Sequence, residues 1–228
     1  MAREVTTKDC VVLDDTELAD MAEVGLASAL PGALNAGAFD VGLLSKQRDE
    51  WVLATQCWEN KKLRGFAFST LERIGGTPSI LIGIAGFDRK ARSEAVLRAV
   101  MGELYKKALL AFPDEDVLLA TRLISPEGYQ LFKGVRDIVP RPGYSATGEE
   151  KAWGKRLAKR FSATGSLDDS SFALTGETSP GGVTSFGSNR LKVDLSVAKL
   201  FKGLNPSKGD CLVVFGWIMA EDLALGKL

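Results

Sequence analysis

Three cations crowd one short stretch of this chain. Arg89, Lys90 and Arg92 follow the apolar run Pro78-Ser79-Ile80-Leu81-Ile82-Gly83-Ile84-Ala85-Gly86-Phe87. After them the spacing of Ala91, Ala95, Val96, Ala99, Val100 and Leu104 predicts a helix that stops at Phe112-Pro113, with Asp88 as its N-cap. Cations at a helix start oppose the helix dipole by a few tenths to about one kcal/mol per charge. An anion there reverses the sign, because free backbone N–H groups and fixed cations together make a phosphate site. The other reading is a solvated charged face, with Asp88 and Glu94 offsetting part of the repulsion.

The chain contains no histidine. That removes the usual general base, the usual metal ligand and every Ser-His or Cys-His nucleophile, so zinc sites and triad hydrolases are set aside and no metal is expected. Acid–base work falls to Asp, Glu, Lys, Tyr, Cys or water. Acyl transfer by direct attack on a thioester tolerates that restriction, since positioning and backbone N–H groups carry much of it. Glu72 closes a strand next to the central run and is the carboxylate to consider as a base; alternatively it is a strand-end group paired to Arg64 or Arg73. Cys10, Cys57 and Cys211 are odd in number and far apart, which fits buried reduced thiols rather than a disulfide framework or a metal motif.

The elements that must position these residues follow from pattern. The run at 78–87 is rich in β-branched residues and follows Gly75-Gly76-Thr77, as a strand buried on both faces would. A second such strand is predicted at Val117–Thr121, and Ser125-Pro126 supplies an N-cap and a first-turn proline for a shorter helix to about Lys133. Upstream, residues 5–13 read as a first strand, Thr16 as the N-cap of a helix through Leu18, Met21 and Ala22, and Leu30–Ala38 as a loop or a broken second helix. Trp51–Trp58 and Leu63–Glu72 form a hairpin about a polar four-residue turn, and a further turn at 74–77 leads into the central strand. Trp51 and Trp58 either pack or line an acceptor pocket. A meander followed by strand, helix, strand, helix argues for a mixed α/β sheet.

Past the second helix, 135–139 is a short strand ended by prolines, and 149–161 a basic helix whose stripe Trp153, Leu157, Phe161 docks it while its cations face solvent. Residues 162–190 are a long polar insertion, partly ordered, serving as a cover for a pocket or as a bare excursion. A short helix near 195–201 and a closing strand at 209–218 complete one domain over 1–228. With 29 acidic and 29 basic residues the net charge is zero, which advertises neither a nucleic-acid nor a membrane surface. Without an 18-residue apolar stretch or a signal-peptide core, a soluble cytoplasmic protein is expected.

This order of elements resembles the GNAT superfamily of acyl-coenzyme A N-acyltransferases. There, the fourth strand leads into a Gln/Arg-x-x-Gly-x-Gly/Ala loop whose amides hold the coenzyme A pyrophosphate. The matching window is Arg92-Ser93-Glu94-Ala95-Val96-Leu97, which keeps the arginine and replaces both glycine positions with Ala95 and Leu97. The family's Asn-x-x-Ala-x-x-Phe-Tyr-x-x-x-Gly-Phe signature aligns with Ser125-Pro126-Glu127-Gly128-Tyr129-Gln130-Leu131-Phe132-Lys133, where Ser125 replaces the asparagine, Gly128 the alanine and Phe132 the tyrosine. The resemblance spans residues 8–140 in element order, with the strand at 210–218 also fitting. It implies a mixed, mostly antiparallel sheet flanked by helices, with acetyl-coenzyme A or another acyl-coenzyme A as co-substrate. Ala85, Gly86 and Phe87 would meet the pantetheine arm, Arg92, Ser93, Glu94 and Ala95 the pyrophosphate, and Ser125 the same site. Tyr129, at i−3 from Phe132, either substitutes as the acid or packs against the sheet. The implied activity moves an acyl group to an amine, the alternative being a GNAT-fold binding protein that has lost its chemistry. Expected partners are a small-molecule amine or an acyl thioester, with a homodimer left open and neither nucleic acid nor membrane.

Overall fold

The computed structural model describes residues 3–29, 37, 39–89, 93–176, 184–185 and 193–226. In chain order its elements are β1 (Arg3–Asp9), α1 (Asp15–Ser28), α2 (Val41–Glu50), β2 (Leu53–Glu59), β3 (Lys62–Ile74), β4 (Thr77–Phe87), α3 (Ser93–Ala111) and β5 (Val117–Leu123). A 3₁₀ turn at Pro126–Phe132 follows, then β6 (Arg136–Val139), α4 (Gly148–Arg160), β7 (Ser166–Leu167), β8 (Ala173–Thr175), β9 (Thr184–Ser185), α5 (Leu195–Leu200), β10 (Cys211–Ile218) and α6 (Ala220–Leu225).

These strands form one mixed sheet in the order β1-β2-β3-β4-β9-β5-β10-β8-β7, with β6 also on β10. The meander β1 to β4 is antiparallel, as are the pairs around β10; the parallel contacts are confined to β4, β5 and β9. The fold is therefore the mixed, mostly antiparallel α/β sheet flanked by helices that the element order implies. Two tight turns drive the meander: Asn60 and Lys61 both take positive φ, 51° and 60°, and Gly75 and Gly76 do the same at 59° and 90°.

Two apolar layers cover the sheet. On one face α1, α2 and α4 bury Leu18, Met21, Leu44, Trp153 and Leu157 against Phe66, Phe68, Leu81, Leu118 and Phe215. On the other, α3 buries Val96, Leu97, Val100, Met101, Leu104, Tyr105 and Ala108, the i, i+3, i+4 stripe of an amphipathic helix. Each large apolar side chain buried in this way contributes roughly 1.5–3 kcal/mol.

Several boundaries differ from the sequence reading. The first strand ends at Asp9, and Cys10–Val12 form a 3₁₀ turn. The cap of α1 is Asp14, not Thr16: its carboxylate accepts from Glu17 N while Glu17 accepts from Asp14 N, a reciprocal box. Apart from Gly37 and Phe39, which is buried, 30–39 lies outside the described residues, and the second helix is α2. Within 162–190 the described part is not bare loop. It supplies β7 and β8, a hairpin that widens the sheet beside β10, and β9, which enters the middle of the sheet. No helix among the described residues is long and apolar enough to cross a membrane.

Candidate functional site

Alternation fails at one place in β4. Ile80 and Ile82 face α3 and Leu81 faces the opposite layer, as a period of two requires. Ile84 then faces the same side as Leu81, while Ala85 and Phe87 face α3. The register to β3 shows why: Ser69 pairs Ile82 and Phe68 pairs Ile84, leaving Gly83 as the extra residue of a β-bulge. Only glycine fits, since a Cβ at Gly83 would lie 1.8 Å from the Trp51 indole. Trp51 is held in turn by Gln47, whose amide oxygen accepts from its Nε1 at 3.0 Å, and by the rings and cations of Phe161 and Arg160.

A bulge bends its strand, and here the bend separates β4 from β5. The two pair directly from Ser79/Leu118 to Ile82/Thr121, where the Thr121 hydroxyl donates to the Ile82 carbonyl at 2.9 Å. Beyond that point they diverge into a slot bordered by Ala85 and Gly86 on one strand and Leu123 on the other. The slot holds β9: Thr184 pairs with Ala85 and with Leu123, and Ser185 with Gly86.

The floor of the slot is built for close approach. A Cβ on Gly86 would sit 2.9 Å from the Gly25 Cα and 3.2 Å from the Ser28 hydroxyl, so α1 rests directly on the β4 backbone. Asp88 follows the last residue of β4. It is buried, and its carboxylate accepts from Arg64 Nη1 at 2.8 Å while its own N–H donates to the Arg64 carbonyl. Arg89 is likewise engaged, its Nε donating to the Ser28 carbonyl at 3.1 Å. Lys90 and Arg92 lie outside the described residues.

At the start of α3, Ser93 is buried, Ala95 half-buried and Glu94 exposed. The described part of α3 begins at Ser93, and the three residues before it lie outside the described ones. Leu97 lies four residues inside the described helix, so its N–H falls within the helix ladder, and its side chain packs into the layer beneath α3. The bulk of Leu97 therefore does not stand at the free end of the helix.

On the β5 side, Ser125 is buried just past the slot but makes no cap hydrogen bond of the foreseen kind. Gly128 stands where the family signature has alanine because a Cβ there would come within 2.6 Å of Leu123. Phe132 is core. Tyr129 packs on Phe132 and Phe201, and its hydroxyl donates to the Pro140 carbonyl at 2.9 Å. Burial pushes its phenol up, away from neutral pH. Of the two readings of Tyr129, this geometry is that of a packed residue tethering the 3₁₀ turn to the end of β6.

Glu72 is corrected more sharply. It pairs in register with Ser79, at the entry end of β4, seven residues from Gly86 and about 20 Å away along the strand. Its partner is neither Arg64 nor Arg73 but Arg160 of α4, which donates from Nε at 2.6 Å and from Nη2 at 3.2 Å. Trp58 donates to Gln56 at the edge of a shallow groove on β1 and β2, remote from the slot. The three cysteines are buried, and burial raises the Cys10 and Cys57 thiols to about 12 and about 11. Ala85 and Gly86 thus border the slot, Phe87 follows them on β4 and Ser125 lies two residues past Leu123, while Glu72 pairs at the opposite end of β4. Sequence reasoning missed the bulge, although a lone glycine between Ile82 and Ile84 is its usual sign, and missed β9, whose two residues are too few for any period.

No family model matches the chain, and no curated protein matches it in sequence. Among solved structures it is similar to an aminoglycoside 6'-acetyltransferase type Ii, at 11% identity over 60% of this chain and 87% of that one, with a TM-score of 0.44. It is similar to the ribosomal-protein-S18-alanine N-acetyltransferase of Escherichia coli at 16% identity, over 64% of this chain and 86% of that one, with a TM-score of 0.42. A GNAT family acetyltransferase from Brucella melitensis, in complex with acetyl-CoA, is similar at 14% identity over 51% and 75% of the two chains, with a TM-score of 0.38.

Proposed function

We propose that this chain is a divergent member of the GNAT superfamily that binds an acyl-coenzyme A in the β4–β5 slot and passes the acyl group to an amine. The observation that carries this reading is the slot itself: two parallel strands parted by the Gly83 bulge, at the end of β4 that leads toward α3. An extended arm with amide groups fits such a place, because main-chain positions at Ala85 and Gly86 accept a strand-like partner, as Thr184 and Ser185 demonstrate. The reading extends to the phosphates on the sequence resemblance: Ser93, Glu94 and Ala95 stand in the matching window near the N-terminal end of α3, where an anion is favoured. Arg92 joins them on the strength of the sequence resemblance.

The thioester supplies an activated acyl carbon; overall a C–N bond forms, a C–S bond breaks, and the amine proton ends on sulfur. The chain's contribution is to bind and orient. The bulge aims the slot, the Gly25–Gly86 contact brings α1 against its floor, and the Arg64–Asp88 pair fixes the exit of β4. No acid is assigned, since Tyr129 is committed to Pro140, and a thiol of ordinary pKa leaves without one more readily than an alkoxide.

The test is thermal unfolding with millimolar acetyl-coenzyme A and coenzyme A. A ligand at 100 times its dissociation constant adds about 2.7 kcal/mol to stability. An upward shift that Arg92→Glu abolishes is the expected result. A second reading, a binding protein without chemistry, is favoured by one observation: β9 already occupies the slot. It predicts no shift with any acyl-coenzyme A, an outcome that removes the thioester reading.

A further inference from the structure

The placement of β9 is unusual in how far the chain goes to achieve it. Before it, β8 pairs with β10; after it, the chain runs through α5 and returns to β10. In the sheet, β9 lies between β4 and β5, separated from β8 by β10 and β5, and forms a two-residue ladder there. That ladder falls on Ala85, Gly86 and Leu123, the main-chain positions that border the slot. The other interior strands β2, β3, β4, β5, β10 and β8 have 7, 13, 11, 7, 8 and 3 residues.

Two residues span only about 6.5 Å of ladder. The surrounding sequence, Gly181-Gly182-Val183-Thr184-Ser185-Phe186-Gly187-Ser188, is rich in glycine and serine, which have low strand preference and little apolar surface to anchor them. Among the strands of the sheet only the edge strand β7 is as short as β9. Strand β9 sits where β4 and β5 part beyond the Gly83 bulge.

We infer that Thr184–Ser185 is an internal competitor for the slot, pairing with Ala85 and Gly86 in place of the extended arm of an acyl thioester and yielding when the thioester binds. This rests on the thioester reading above. Apparent affinity is the intrinsic affinity reduced by the fraction of molecules whose slot is free, so a self-occupied slot sets the thioester concentration at which the protein responds.

Proline has no N–H and cannot serve as a ladder donor, so the variant is Thr184→Pro combined with Ser185→Pro. Two readouts are taken on the intact chain: hydrogen exchange over 84–87 and 122–124, and the dissociation constant for coenzyme A by calorimetry. The expected result is faster exchange in those peptides and coenzyme A binding about tenfold tighter, as follows if β9 fills the slot about nine-tenths of the time. Faster exchange with unchanged coenzyme A affinity overturns the competition and leaves the thioester reading intact. Unchanged exchange overturns it too, because β9 would then not hold those strands. Loss of protection with no coenzyme A binding in either protein sinks the thioester reading and the competition with it. Should the double variant not fold, the wild type decides: saturating coenzyme A must speed exchange at 184–185 while 84–87 stays protected. Protection of 184–185 that survives saturation overturns the proposal.

Discussion

At its entry end, β4 is bonded directly to β5 over Ser79–Ile82 and Leu118–Thr121; at its exit end the same two strands stand apart with Thr184 and Ser185 between them. Both ends are apolar and buried, and composition does not distinguish them. The difference is made by one glycine and the indole stacked on it. At the closed end, side chains alternate between the two layers and the ladder runs unbroken. At the split end, Gly83 consumes a residue without a partner, the alternation is reset, and the strand turns away from its neighbour. A slot in a sheet thus needs no special chemistry at its lips; it needs a bend below them.

That contrast can be broken from below. Trp51→Ala removes a buried indole packed on Gly83 and Phe161 and should lower stability by about 3–5 kcal/mol in urea unfolding. Gly83→Ala forces a Cβ against the same ring and should lose about 1–3 kcal/mol. Because the two side chains conflict with each other, the double variant should lose less than the sum of the singles; strict additivity would show that Trp51 does not dictate the glycine. At the apex, Thr121→Val keeps the shape and removes the hydroxyl that serves the buried Ile82 carbonyl. A loss of about 1–3 kcal/mol is expected, with faster exchange on both sides of the apex.

Residues away from the split sharpen the comparison by doing less. Glu72 and Arg160 are each about a third exposed, 31% and 32%, and Glu72→Gln should change stability by about 1 kcal/mol or less. A rate loss of about 100-fold in an amine acylation assay would instead restore Glu72 as a base. The smallest effect is expected at the thiols. With their pKa raised to about 12 and about 11, Cys10 and Cys57 should resist iodoacetamide in the native protein at pH 8 and react once unfolded in urea, as read by mass spectrometry. The linkage has a definite sign. Below pH 9 both states hold the thiol proton and nothing changes; above it the unfolded chain releases protons that the folded one keeps, so stability falls as pH rises from about 9 toward 12.

Much of this was legible in residue order. The strands at 77–87, 117–123 and 211–218 are continuous apolar runs, α3 and α4 carry clear helical stripes, and the turns at 60–61 and 75–76 are marked by Asn and Gly. The strand, helix, strand order and the resemblance it carries grouped Ala85, Gly86, Ser93, Glu94, Ala95 and Ser125 as one expected site. What failed were the long-range polar choices. Glu72 found Arg160, 88 residues away, rather than the arginines beside it in sequence, and Asp88 binds Arg64 on the neighbouring strand, a partner its reading as a cap did not include. Tyr129 was readable either as an acid or as packing, and its Pro140 acceptor lies on a strand end that the helix pattern says nothing about.

The sequence by itself therefore determined the elements, their order and the apolar faces that stack them into a mixed sheet, because periodicity and turn chemistry are local properties. Only the tertiary structure decided that β4 bulges at Gly83, that β4 and β5 part beyond Thr121, and that Thr184–Ser185 lies between them. Those outcomes depend on which side chain lands on which backbone across more than thirty residues of chain. A tryptophan over a glycine and a two-residue strand in a distant gap leave no periodic trace of where they will meet.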